Sequence, residues 1–131
     1  MTLPSSVISH VSLGTNDLPR ARAFYDAVLA TLQIRLVMDF PTAAAYGRTF
    51  PEFWIQMPLN QRRATTGNGI HICFLANSIA EVNAFHATAL ALGGQNDGAP
   101  GLRPEYTATY YGAFVRDLDG NKIEAMLLVA D

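Results

Sequence analysis

The sequence predicts an α+β fold built from two tandem βαβββ modules. Three observations predict it. The order strand, helix, three strands can be read twice along the 131 residues. The first strand and helix of each half fall into one register when the chain is shifted by 61 residues. Hydrophobic residues make up 50% of the chain and charged ones only 15%, so a large core or a subunit interface must hide much of it. That balance excludes intrinsic disorder. A chain of this length buries roughly two-thirds of its unfolded surface, so folding alone needs neither disulfide nor metal. The expected organisation is one domain over 1–131, with a first module at 1–60, a linker at 61–68 and a second module at 69–131.

The elements follow in order. Val7 to Leu13 reads as a strand. Asp17 can cap the next helix and Pro19 suits its first turn. Leu18, Ala21, Tyr25, Val28, Leu29 and Leu32 then recur at helical spacing. Three strands are expected at Ile34 to Met38, Ala43 to Arg48 and Phe53 to Met57, separated by Asp39, Pro41, Pro51 and Pro58. The polar stretch Asn60 to Asn68 reads as a loop. Ile70 to Leu75 restarts the pattern. Ser78 and Glu81 have capping-box spacing, and Ile79, Val82, Phe85, Ala89 and Leu92 form a second amphipathic series. Gly93 to Pro104, with four glycines and two prolines, reads as a connector or lid; it lacks phosphate-loop spacing. Strands are expected at Tyr106 to Tyr110, Tyr111 to Arg116 and Asn121 to Leu128, the last two joined through Asp117 to Gly120 as a hairpin.

The repeat also locates chemistry. A shift of 61 pairs His10 with His71, Asn16 with Asn77, and Phe24 with Phe85. A shift of 68 pairs Gln56 with Glu124. Side chains alternate across a strand. Val11 and Leu13, Ile70 to Phe74 at alternate positions, Phe53 to Met57 likewise, and Ile123 to Leu127 likewise suit the helix side. His10, His71, Gln56 and Glu124 then share the opposite side. Two imidazoles, a carboxylate and an amide oxygen make a reasonable shell for a divalent metal, with positions open to water or substrate. For Gln56, a plain hydrogen-bonding role weighs equally. His86 reads as a surface or capping residue, Cys73 as a small buried one, and Tyr106, Tyr110 and Tyr111 as packing groups. There is no G-x-S-x-G nucleophile motif.

Charge and patterning bound the partners. The net charge is -2, and Arg62-Arg63 is the sole adjacent basic pair, so nucleic acid is not an expected partner. No apolar run suits a membrane span, the start of the chain lacks the pattern of a signal peptide, and a single cysteine fits a cytoplasmic location.

Three segments, ISHVSLGTNDLPRARAFYDAVL, GIHICFLANSIAEVNAFHATALALGG and YYGAFVRDLDGNKIEAM, resemble the glyoxalase/bleomycin-resistance/extradiol-dioxygenase (vicinal oxygen chelate) superfamily. The closing D-x-D-G-N-K-I-E pattern is fairly specific. The resemblance implies that the two modules form a cupped, mixed eight-stranded sheet with helices on its outer face. It also implies ligand positions at His10, Gln56, His71 and Glu124. Glyoxalase I has such a four-ligand set, usually with Glu where this chain has Gln56. Extradiol dioxygenases use two His and one Glu, and the bleomycin-binding branch has no metal. The implied function is a metal-dependent enzyme acting on a small substrate that chelates nickel, zinc, iron or manganese through adjacent oxygens. The chemistry would be of the lyase, isomerase or dioxygenase kind, with Glu124 also catalytic. The alternative is a non-catalytic small-molecule binding or resistance protein using the same cup. Low charge and the paired-module habit imply a homodimer.

Overall fold

Asp17 and Ser78 start two helices of equal length. Each side chain accepts the backbone N–H three residues on, Arg20 at 3.1 Å and Glu81 at 3.2 Å, which satisfies a donor that the first turn would otherwise leave unpaired. The computed structural model describes residues 6–130. In chain order the elements are β1 (Val11–Gly14), α1 (Leu18–Ala30), β2 (Arg35–Phe40), β3 (Ala43–Gly47), β4 (Phe53–Gln56), β5 (His71–Leu75), α2 (Ile79–Ala91), β6 (Gln95–Leu102), β7 (Tyr110–Arg116) and β8 (Lys122–Leu128). Two βαβββ modules therefore follow one another. The shift of 61 maps α1 onto α2 at both ends.

The strands form two four-stranded mixed sheets, ordered β1-β4-β3-β2 and β5-β8-β7-β6. In each, the first strand runs parallel to the last and the other pairs are antiparallel. One face of each sheet carries a helix. Phe53 and Ile55 from β4, Ile123 and Ala125 from β8, Tyr25, Val28 and Leu29 from α1, and Val82, Phe85 and Ala89 from α2 share one buried cluster. Phe53 and Phe74 meet edge to face at 4.9 Å across the two modules. The helix-covered faces of both sheets thus contribute to a common core, and the opposite faces are left uncovered by their own chain.

The modules are tied by polar contacts of matching kind. Asn121 Nδ2 donates to the Gly14 carbonyl at the end of β1 (3.2 Å), and Arg48 Nη2 donates to the Leu75 carbonyl at the end of β5 (2.8 Å). Gly14 and Leu75 are 61 residues apart, so each module's turn caps the other module's edge strand. The buried Tyr25 hydroxyl donates to Asp117 Oδ2 at 2.6 Å. Asp117 also accepts from the backbone N–H of Asp119 and Asn121 and from Asn121 Nδ2.

Four expectations need correction. The Gly93 to Pro104 segment is not a connector: residues Gln95–Leu102 form β6, an edge strand with register shifts on both sides of Gly98. Glycine and proline are tolerated there because an edge strand needs only one hydrogen-bonded side and bulges absorb the irregularity. Tyr106 to Tyr110 is not a strand but the turn leading into β7, with Tyr106 N–H donating to the Arg103 carbonyl at 2.9 Å. His86 is buried rather than superficial, its Nε2 lying 2.9 Å from Asn96 Oδ1 of β6. Cys73 is exposed as a whole residue rather than buried, although its thiol is turned in beside Glu124. Among the described residues, no helix is long and apolar enough to cross a membrane.

Burial raises the pKa of Asp117, against the lowering effect of its hydrogen bonds to Tyr25 and Asn121. The native state therefore holds this proton more tightly than the unfolded chain, and the group's own contribution to stability is greatest in acid and falls as pH rises through the carboxylate range. Replacing Asp117 by Ala strands the Tyr25 hydroxyl and the Asn121 amide. The expected cost is about 2–4 kcal/mol in urea unfolding. A cost below about 0.5 kcal/mol would show that the modules do not depend on this carboxylate.

Candidate functional site

The alternation of β8 separates its side chains into a core set and an outward set. Ile123 and Ala125 enter the core, while Lys122 and Glu124 lie on the face away from α2. Glu124 pairs in register with Cys73 on β5 and with Phe114 on β7. It is nonetheless only 1% exposed, so its carboxylate needs partners. It has two. His71 Nε2 lies 3.1 Å from Oε1, and the Tyr110 hydroxyl donates a short hydrogen bond to Oε2. The His71 side chain remains 44% exposed and gives the pair its opening to solvent.

Tyr110 reaches Glu124 because glycine lies between them. A Cβ on Gly112 would come 3.1 Å from both Tyr110 Cε1 and Glu124 Oε2. Burial and then the bond to Glu124 push the Tyr110 phenol above its ordinary range. Burial and the charge of Glu124 do the same to the Cys73 thiol, so Cys73 is not an activated nucleophile. Phe114 closes one side, its ring centre 6.2 Å from that of His71.

The four residues singled out from the repeat are not all brought together. His71 and Glu124 meet. Gln56 ends β4 in the other sheet, in register with Gly14 and Ala43. His10 precedes β1 instead of lying within it, is exposed, and has Nδ1 2.9 Å from the Ser9 hydroxyl. Among the described residues, no group of three or more His, Cys, Asp or Glu is arranged to hold a metal. The uncovered face of the first sheet instead presents Trp54 stacked on Phe40, with ring centres 6.2 Å apart, beside the exposed Met38. Tyr110 and Phe114 are the site residues that sequence reasoning missed. Their signal was parity: 110, 112 and 114 share a face once β7 is read as one strand from Tyr110.

Together the fold and this outward-facing His–Glu–Tyr cluster define a paired-module βαβββ protein with a polar site on the sheet face opposite its helices. The chain belongs to the Glyoxalase/Bleomycin resistance protein/Dioxygenase superfamily, whose family model matches residues 7–125. It is 41% identical to a glyoxalase/bleomycin resistance protein from Albidiferax ferrireducens, over 92% of this chain and 98% of that one, with a TM-score of 0.86. It is 26% identical to a lactoylglutathione lyase from Agrobacterium tumefaciens, over 95% of each chain, with a TM-score of 0.64. A glyoxalase/bleomycin resistance protein/dioxygenase family enzyme from Burkholderia phytofirmans shares the fold, at 19% identity over 95% of this chain and all (100%) of that one, with a TM-score of 0.72. No curated protein matches.

The Tyr110–Glu124 bond can be tested alone. The phenol proton is held more tightly in the native state, so the bond's contribution is present below about pH 10 and lost as pH rises past the raised native value. In a carbon-13 titration of the tyrosine ring, Tyr110 should ionise above the ordinary phenol range. In Glu124→Gln its midpoint should fall toward about 10. An unchanged midpoint would mean that the carboxylate does not hold this proton.

Proposed function

We propose that the protein is a metal-dependent enzyme of the glyoxalase-like kind, acting on a small substrate that chelates the ion through adjacent oxygens. The observation that carries this reading is the His71–Glu124 pair. Its 3.1 Å donor separation matches the edge of about 3.0 Å between adjacent ligands of an octahedral ion with bonds of about 2.1 Å. Two donors are half of the expected four-ligand set. His10 and Gln56 supply the chemistry of the other half, an imidazole and an amide oxygen, from the first module. We infer that a homodimer completes the shell, His10 and Gln56 of one chain facing His71 and Glu124 of its partner. The uncovered faces, with Met38, Phe40 and Leu75 exposed, offer apolar surface for that association.

A bound divalent ion would supply Lewis acidity to two adjacent substrate oxygens. The chain's own residues do the rest. Glu124 offers a buried carboxylate that accepts a proton at Oε1 or Oε2. Tyr110 holds a proton at its hydroxyl, in contact with Oε2, and keeps that oxygen oriented. His71 fixes Oε1. Phe114 excludes water from one side. The similarity to a lactoylglutathione lyase supports lyase or isomerase chemistry ahead of oxygen chemistry. A second reading, a ligand-sequestering protein without turnover, is favoured by the lack of a three-donor cluster among the described residues of one chain.

Calorimetric titration of chelator-stripped protein with nickel, zinc, manganese and iron(II) separates the readings. The wild type should bind about one ion per chain. Glu124→Gln should weaken binding more than about tenfold, because neutral donors balance none of the ion's charge. Gln56→Glu should preserve or tighten it. Equal binding by wild type and Glu124→Gln, or binding by neither, would overturn the metal reading. Sedimentation should give a dimer at micromolar concentration, and a monomer would overturn the shared site.

A further inference from the structure

The glycine-rich strand β6 is the seat of a cation. Arg103 follows it, and the guanidinium carbon lies 5.5 Å from the centre of the Phe114 ring, within cation–π range. Three carbonyls hold it there. Nη1 donates to Gly101 at 3.1 Å and Leu102 at 3.4 Å, and Nη2 donates to Ala99 at 2.6 Å. The seat requires glycine. A Cβ on Gly98 would come 2.9 Å from Phe114 Cδ1 and 3.3 Å from Arg103 Nη2, and one on Gly101 would come 3.3 Å from Nη1. The strand gives up side chains, and regular pairing, where the guanidinium sits.

What this cation lacks is a counter-charge. Among the described residues no carboxylate pairs with Arg103. Asp97 already lies between Arg116 Nε at 3.0 Å and Lys122 Nζ at 3.5 Å. The Lys122 ammonium is itself 5.1 Å from the Phe114 ring centre. Two cations, Arg103 and Lys122, therefore stand over this ring, and of the two only Lys122 has a carboxylate partner, the Asp97 it shares with Arg116. The carbonyls take no more than three of the five guanidinium N–H groups, which leaves Nε–H and one Nη2 hydrogen without an acceptor among the described residues. Phe114 is the register partner of Glu124, so the uncompensated charge stands one strand away from the candidate catalytic carboxylate.

We propose that the ligand of this face carries an oxyanion of the carboxylate or phosphate class, and that Arg103 binds it, with Lys122 adding charge from the same ring. This rests on the reading that the Glu124 face takes the small-molecule ligand, and it names what that ligand must carry. A guanidinium anchored by backbone carbonyls is held in place before the ligand arrives, so little ordering is needed on binding. A purely structural staple across the β6 bulges would need the three carbonyl bonds but not the open N–H groups or the excess of positive charge.

The test uses benzoate, phenyl phosphate and neutral benzamide, each titrated into the full chain and followed by amide NMR, with and without prior chelator treatment. Benzoate or phenyl phosphate should bind at least about tenfold more tightly than benzamide, with saturable shifts at residues 98–103 and at Phe114, and should weaken at high salt. Whichever anion binds more tightly assigns the class. In Arg103→Gln the preference for the anion should disappear while benzamide binding is unchanged. The proposal is overturned if the wild type does not prefer either anion, a comparison that needs no variant to fold. It is equally overturned if folded Arg103→Gln keeps the preference. Metal titration of the same samples keeps the two readings apart. Lost metal binding with anion preference intact would sink only the metal reading, and the reverse would sink only this one.

Discussion

The Asp117 carboxylate is the interaction on which the arrangement of the two modules depends. It receives the Tyr25 hydroxyl from α1 of the first module and the Asn121 amide from its own turn, which in turn caps the carbonyl ending β1. The contact from Arg48 to the end of β5 repeats the device on the other side. A buried carboxylate is an expensive tie, because desolvation opposes its charge. It is also directional, and hydrophobic contact between Phe53 and Phe74 alone is not. The polar tie orients the modules where they meet, while the apolar alternation of the strands selects which sheet faces enter the common core.

That choice sets the chemistry. The helices and the inner sheet faces take one set of alternate strand positions, and the other set is left on the outside. The outward faces are not equivalent. The first sheet presents Trp54, Phe40 and Met38 around Gln56, an apolar floor with one amide. The second presents His71, Glu124, Tyr110, Lys122 and Arg103 around Phe114, a polar and positively biased face. The first module supplies surface and the second supplies charge. In the proposed dimer the two faces would form the halves of a single ligand site.

Much of this was legible in the sequence, for identifiable reasons. Helix starts were legible because capping is local: Asp17 and Ser78 act within three residues. Strand facing was legible because the period is two, which placed Glu124 and His71 on one face correctly. β6 was not legible. Its composition, QNDGAPGL, answers to the guanidinium and ring packed against it and to its edge position, so strand propensity is absent. One error carried another. With β6 unread, Asn96 could not be seen as the partner of His86, and that histidine looked superficial. Splitting β7 at Tyr110 likewise hid the tyrosine that holds Glu124. Whether His10 and Gln56 converge with the other pair, as the repeat led one to expect, was not settled by strand alternation. It depends on how separate sheets, and separate chains, are placed, and no local pattern encodes that.

In the proposed dimer the halves of one site come from different chains. Mixing His10→Ala with Glu124→Gln protein, each unable to hold the ion alone, tests it directly after the chains are allowed to exchange. In a twofold dimer with shared sites, a mixed pair carries both substitutions in one site and leaves the other intact. Random exchange should then restore metal binding to about a quarter of the sites, since about half the pairs are mixed. Restoration to that level is the predicted result. No restoration, from chains shown by mass spectrometry to have exchanged, would contradict it and return the site to a single chain.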